Sequence, residues 1–218
     1  MAEKSLILFD LDGTLTDPKI GITKSVAYAL EKFGVKVPDM DALTPFIGPP
    51  LYESFMGFYG FSRTDADRAV VAYREYFSGA GIFENEVYEG IPEMLAALSG
   101  KGKILGLATS KPHVFAVRIL EHFKLDGYFT FVSGSELDGR RNEKSEVVAY
   151  ALEYLPTAAP RACVMVGDRE HDIIGAKANG IDSVGVLFGY GGREELENAG
   201  ATYIAGSVDE LRTLLFSI

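Results

Sequence analysis

Ser5-Leu6-Ile7-Leu8-Phe9-Asp10-Leu11-Asp12-Gly13-Thr14 runs from four apolar residues straight into two acids one residue apart. A short apolar run stopped by a glycine turn reads as a strand buried on both faces, the kind found in parallel sheets. Four more runs share its character: Ile104 to Ala108, Phe129 to Val132, Cys163 to Val166 and Ser183 to Leu187. Helical patterns separate them. Ile91 to Leu98 carries Pro92 where a first helical turn tolerates it, and Val114 to Phe123, Lys144 to Leu155, Asp172 to Asn179 and Val208 to Phe216 follow. Gly180 stands where a helix would stop. Strands alternating with helices predict a doubly wound parallel sheet of the α/β class.

Residues 17–87 break that rhythm. Ile20, Thr23, Val26, Ala27, Leu30 and Phe33 recur at helical spacing, Ala66 to Phe77 gives a second helix, and a third is expected near Leu51 to Tyr59. The block is too long for an ordinary loop and shows no strand. It is therefore expected to be a smaller, all-helical domain inserted into a core made of residues 1–16 and 88–218, with hinges near Thr16-Asp17 and Glu86-Val87.

The chain of 218 residues carries a net charge of −10. Such an acidic protein is repelled by nucleic-acid backbones, so a nucleic-acid polymer is not an expected partner. No apolar run approaches the roughly 20 residues that span a bilayer, and Met1-Ala2-Glu3-Lys4-Ser5 does not begin a signal peptide. The single cysteine, Cys163, lies in a strand and reads as core packing. The expected compartment is the cytoplasm.

In an open parallel sheet, ligands gather beyond the carboxyl ends of the strands. The first strand delivers Asp10 and Asp12 there, the second Thr109 and Ser110, and a later one Asp168 and Asp172. Four carboxylates brought together raise one another's pKa unless a cation intervenes. A hard divalent ion bound by oxygens, Mg²⁺ above all, suits such a site beside a substrate phosphate. Thr109 and Ser110 offer hydroxyls to phosphate oxygens, and Lys144, at a helix start, offers a cation. Any one of these alone has an ordinary explanation: a turn, an N-cap, a solvated lysine or a charge on a helix dipole. Their shared place at one sheet edge favours the functional reading.

At these residues the sequence resembles the haloacid dehalogenase superfamily of phosphatases over the whole chain. Phe9 to Leu15 matches the first motif of that family, Thr109-Ser110-Lys111 resembles the second, Lys144 the third, and Gly167-Asp168 through Asp172 the fourth. The helical insert resembles a C1-type cap. Ile47-Gly48-Pro49-Pro50-Leu51, Tyr88 to Glu93 and Gly189-Tyr190-Gly191 are similar to phosphoglycolate phosphatases and their 5′-nucleotidase-like relatives. The resemblance implies that Asp10 attacks phosphorus and that Asp12 acts as acid and then base. It implies Mg²⁺ on the Asp10 side chain, the Asp12 carbonyl and Asp168, with Asp172 ligating directly or orienting a bound water. Thr109, Ser110 and Lys144 would hold the phosphate of a small phosphorylated metabolite, and Gly48 and Pro49 would contact the rest of it. An acid at position 12 argues against dehalogenation.

The resemblance puts a phosphoglycolate phosphatase-like activity first; a 5′-nucleotidase acting on nucleoside monophosphates, and a phosphomutase that transfers to a second sugar hydroxyl, are the alternatives, and a sugar phosphate also remains open as substrate. A phospho-receiver module and an inactive scaffold fit less well, because Asp12 supplies a turnover step and every expected catalytic residue is present. Monomer and homodimer are both compatible with the chain. Gly189-Tyr190-Gly191-Gly192 reads as a structural turn, not a nucleotide loop. His113, His122 and His171 form no metal-ligand set.

Overall fold

A computed structural model describes residues 4–154 and 160–218. In chain order its strands and α-helices are β1 (Leu6–Phe9), β2 (Thr16–Asp17), α1 (Lys19–Glu31), α2 (Leu51–Tyr59), α3 (Arg63–Phe77), β3 (Glu86–Val87), α4 (Ile91–Gly100), β4 (Ile104–Pro112), α5 (His113–His122), β5 (Phe131–Ser135), α6 (Lys144–Glu153), β6 (Cys163–Gly167), α7 (Glu170–Ala178), β7 (Asp182–Val186), α8 (Arg193–Ala199), β8 (Tyr203–Ala205) and α9 (Val208–Ser217). Two compact units result: Pro18–Glu86 is one, and Asp17 and everything before it join Val87–Ile218 in the other. The expected start at Met1 to Glu3 and the expected helix end at Leu155 lie outside the described residues.

The discontinuous unit is a doubly wound α/β domain. Its sheet has six strands in the order β5-β4-β1-β6-β7-β8, and every neighbouring pair is parallel. Leu6 and Leu8 of β1 pack with Val147, Val148 and Ala151 of α6 and Ala176 of α7. Ile7 and Phe9 point the opposite way by strand alternation and are equally inaccessible to water. Both faces of β1 are thus covered, which is why its sequence is apolar throughout instead of alternating. Cys163 is buried in β6, as its apolar neighbours predict. The chain winds outward from β1 through β4 and β5, then returns to lay β6 on the other flank of β1. The strand order thus reverses at β1, and the carboxyl end of the strand at such a reversal is the place where this class of sheet binds ligands.

Four elements differ from the expectation: the two-residue strands β2 and β3, which fall at the expected hinges where no strand was read, and β8 and α8. The short β8 extends the sheet beyond β7, and α8 precedes it. In α8 only Leu196 is buried, so no apolar period marks it in the sequence.

The continuous unit holds α1, α2 and α3, with a 3-10 segment at Met40–Phe46 that the sequence pattern did not signal. Its interior is aromatic. Phe55 is inaccessible to water and stacks on Phe61 at 5.9 Å between ring centroids, with Phe46 edge-on at 5.0 Å. Gly21 lets α1 approach the Gly81 carbonyl, since a Cβ at position 21 would lie 1.9 Å from that oxygen.

Among the described residues no helix is long and apolar enough to cross a membrane.

Candidate active site

Strand β1 hands over to the site without a break. The Asp10 N–H donates to the Val166 carbonyl at 2.9 Å, carrying the ladder one residue past the strand. The chain then turns: Leu15 and Thr16 N–H both donate to the Leu11 carbonyl, at 2.9 and 3.1 Å. Gly13 permits this with φ +79, a conformation that costs an ordinary side chain, and a Cβ there would also meet Asp168 Oδ2 at 2.2 Å.

Oxygens of Asp10, Asp168 and Asp172 all lie within 4.8 Å of one another, in buried surroundings. Lys144, the first residue of α6, is 6% exposed. Its Nζ lies 2.8 Å from Asp10 Oδ1 and 2.7 Å from Asp172 Oδ1, and donates to the Ala108 carbonyl at 3.3 Å. The second carboxyl oxygen of Asp172 accepts the Arg169 N–H at 3.1 Å, tying it to its own helix start. Gly167 and Gly175 make room for these groups: a Cβ at 167 would lie 2.1 Å from Asp172 Cγ, and one at 175 would lie 2.8 Å from Lys144 Cγ.

Asp12 faces Lys111, whose Nζ lies 2.7 Å from Asp12 Oδ2. The other oxygen, Asp12 Oδ1, is buried with no hydrogen-bond partner among the described residues. Lys111, quoted within the second motif, was given no role in the site by the sequence reading. It gets there by a bulge: β4 pairs Thr109 with Gly134 and then Pro112 with Ser135. Ser110 and Lys111 are therefore extra to the ladder, and a bulge of this kind re-aims side chains.

Thr109 is buried, and its Oγ1 accepts the Lys111 N–H at 3.3 Å. Ser110 is half-buried, and its carbonyl accepts the Ser135 hydroxyl at 2.7 Å. Both sit at the sheet edge that carries Asp10. Gly48, with φ +105, and Pro49 belong to the other unit.

Charge dominates this site. Burial pushes the Asp168 carboxyl well above the usual range, and Asp172 and Asp10 push it further; the Tyr190 N–H opposes this. Burial raises Asp172 to about 6 against the pull of Lys144. Asp12 is also raised, by burial first, with Lys111 opposing. Lys144 is disfavoured by burial, but Asp10 and Asp172 more than restore its charge. Four carboxylates face two ammonium groups, so two negative charges are left over when all are ionised. Hard oxygen donors with a surplus of two negative charges fit one divalent cation of the Mg²⁺ kind.

Residues 7–186 match the haloacid dehalogenase-like hydrolase family. This chain belongs to that family, and it is a phosphoric monoester hydrolase by class. It is 48% identical to a 5′-nucleotidase of Pseudomonas aeruginosa over 97% of this chain and 95% of that protein. It is 42% identical to the tyrosine-protein kinase PtkA of Mycobacterium tuberculosis over 96% of this chain and 72% of that one. A crystal structure described as a predicted phosphatase from Clostridium acetobutylicum superposes with a TM-score of 0.96 at 49% identity, all of each chain being covered.

Proposed function

We propose that the protein is a Mg²⁺-dependent phosphatase of small phosphate monoesters, working through an aspartyl-phosphate on Asp10. The observation that carries this reading is the Asp10 carboxylate at the end of β1, within ion-pair reach of Lys144 and grouped with Asp168 and Asp172. A free Asp12 oxygen lies two residues on. Asp10, Asp168, Asp172 and the Asp12 carbonyl would hold Mg²⁺, which when bound supplies countercharge to the phosphoryl oxygens.

In the first step an Asp10 oxygen forms a bond to phosphorus as the ester P–O bond breaks. Asp12 gives its proton to the departing alkoxide. The raised pKa of Asp12 suits a group that must carry that proton. In the second step water attacks the same phosphorus, the bond to Asp10 breaks, and Asp12 takes the water's proton. Lys144, with Thr109 and Ser110, holds the phosphoryl oxygens while their charge builds. The helical unit Pro18–Glu86 acts as a cap, and Gly48 and Pro49 help select the leaving group.

Nucleoside monophosphates are the first substrates to test, since the relative called a 5′-nucleotidase matches nearly end to end. Phosphoglycolate comes second, on the similarity of Tyr88 to Glu93 and Gly189 to Gly191. The protein would work in the cytoplasm as monomer or homodimer. Phosphate release is measured across both substrate classes with Mg²⁺, with EDTA, and with Asp10→Asn. Release abolished by both controls is expected; full activity in Asp10→Asn would refute the mechanism. A tyrosine peptide with γ-labelled ATP tests transfer separately, and label on the peptide without free phosphate would displace hydrolysis.

A further inference from the structure

The loop Gly189-Tyr190-Gly191 follows β7 and comes to rest against Asp168. Neither glycine has a positive φ, so backbone freedom does not explain them. Close approach does. A Cβ at 189 would lie 2.4 Å from Asp168 Cβ and 2.3 Å from the Gly13 carbonyl oxygen, and one at 191 would lie 1.9 Å from the Asp168 carbonyl oxygen. With Gly13, these glycines enclose Asp168 on positions only hydrogen can fill. A structural turn, the reading its sequence invites, would not require this.

Tyr190, between the glycines, is bonded at both ends. Its N–H donates to Asp168 Oδ2 at 2.8 Å. Its hydroxyl donates to Asp17 Oδ1, at the last residue of β2. The other Asp168 oxygen receives the Thr14 hydroxyl at 3.4 Å.

We propose that the Gly189-Tyr190-Gly191 loop is a positioning element that aims the Asp168 carboxylate at the bound cation, with the Tyr190 hydroxyl on Asp17 as its anchor. The proposal rests on the metal-holding role proposed for Asp168. A carboxylate ligand must be fixed in direction to bind tightly, and partners that fix it typically contribute 10–100-fold in metal affinity. Tyr190 is a positioning residue: it acts through Asp168 and touches no reacting atom.

The test is Mn²⁺ binding by electron paramagnetic resonance, without substrate, on folded full-length protein in the cold. Tyr190→Phe should bind Mn²⁺ about tenfold more weakly while its circular dichroism spectrum stays native. Unchanged affinity would overturn the proposal. If Tyr190→Phe does not fold, Asp17→Asn and Asp17→Ala replace it. Both lose the charge, but only the amide keeps an acceptor for the hydroxyl. Asparagine should bind about tenfold tighter than alanine, and equal affinity overturns the proposal. Asp168→Asn keeps the two claims apart. Native Mn²⁺ affinity in Asp168→Asn would defeat the metal reading itself; loss there with none in Tyr190→Phe would defeat only the loop's role.

Discussion

Replacing Lys144 with methionine keeps an unbranched stem of similar length and removes one charge from the centre of the site. The ammonium sits 2.8 Å from Asp10 and 2.7 Å from Asp172. At an effective dielectric constant of about 20, each attraction is about 6 kcal/mol gross. Most of that offsets the cost of having buried the three charges. What Lys144→Met exposes is the remainder, because Asp10 and Asp172 stay behind without their counter-ion. Breaking a buried pair in this way costs about 3–5 kcal/mol. Urea unfolding in EDTA should show a loss of that size. A loss under about 1 kcal/mol, the value of an exposed pair, would refute the claim that Lys144 is the counter-charge on which this cluster depends. The same substitution separates two roles. The cluster becomes more negative, so Mn²⁺ affinity should not fall, while phosphatase turnover should drop by about 10²–10³. A fall in metal affinity matching the fall in turnover would refute the assignment of Lys144 to the phosphoryl group.

Gly13→Ala should cost about 1–2 kcal/mol for the left-handed backbone alone, and more because its Cβ would meet Asp168 Oδ2 at 2.2 Å; calorimetry and Mn²⁺ titration should both register it. Mg²⁺ at about 100 times its dissociation constant should add about 2.7 kcal/mol to unfolding free energy. Differential scanning calorimetry should show this gain vanish with EDTA and in Asp168→Asn; an identical gain in that variant would place the ion elsewhere.

The parts of this molecule that could be read from its sequence are those whose cause is local. Leu6 to Phe9 and Cys163 to Val166 are apolar without alternation because both faces of the sheet are covered, and that pattern sits in the chain itself. Asp10, Asp12 and Asp168 were singled out because they follow directly on strand ends, and Asp172 because the first turn of α7 follows such an end; the structure brings Asp10, Asp168 and Asp172 together. Lys144 stood out only as the first residue of a helix after a strand. Lys111 was quoted in a motif but given no role, because its direction depends on two residues being extra to the β4 ladder, a register fact that no local pattern carries. Tyr190 reaches Asp168 from 22 residues away, by a backbone N–H that every residue but proline has. The helix α8 escaped because one buried leucine makes no period, and β8 because three residues are too few.

The pairing of β1 also bears on how the protein is made. Leu6 pairs with Ile104 on one side and Cys163 on the other. The segment Pro18–Glu86 is complete on the ribosome before either neighbour of β1 has been synthesised. At about 5–20 residues per second, β1 waits roughly 5–20 s for Pro112, the end of its first neighbour β4, to be added. Through that interval four apolar residues and Asp10 beside them have no sheet to join. The emerging chain therefore depends on whatever shields Leu6–Phe9 during synthesis, and the acids that follow at Asp10 and Asp12 are the nearest charges to keep that segment from pairing with another chain.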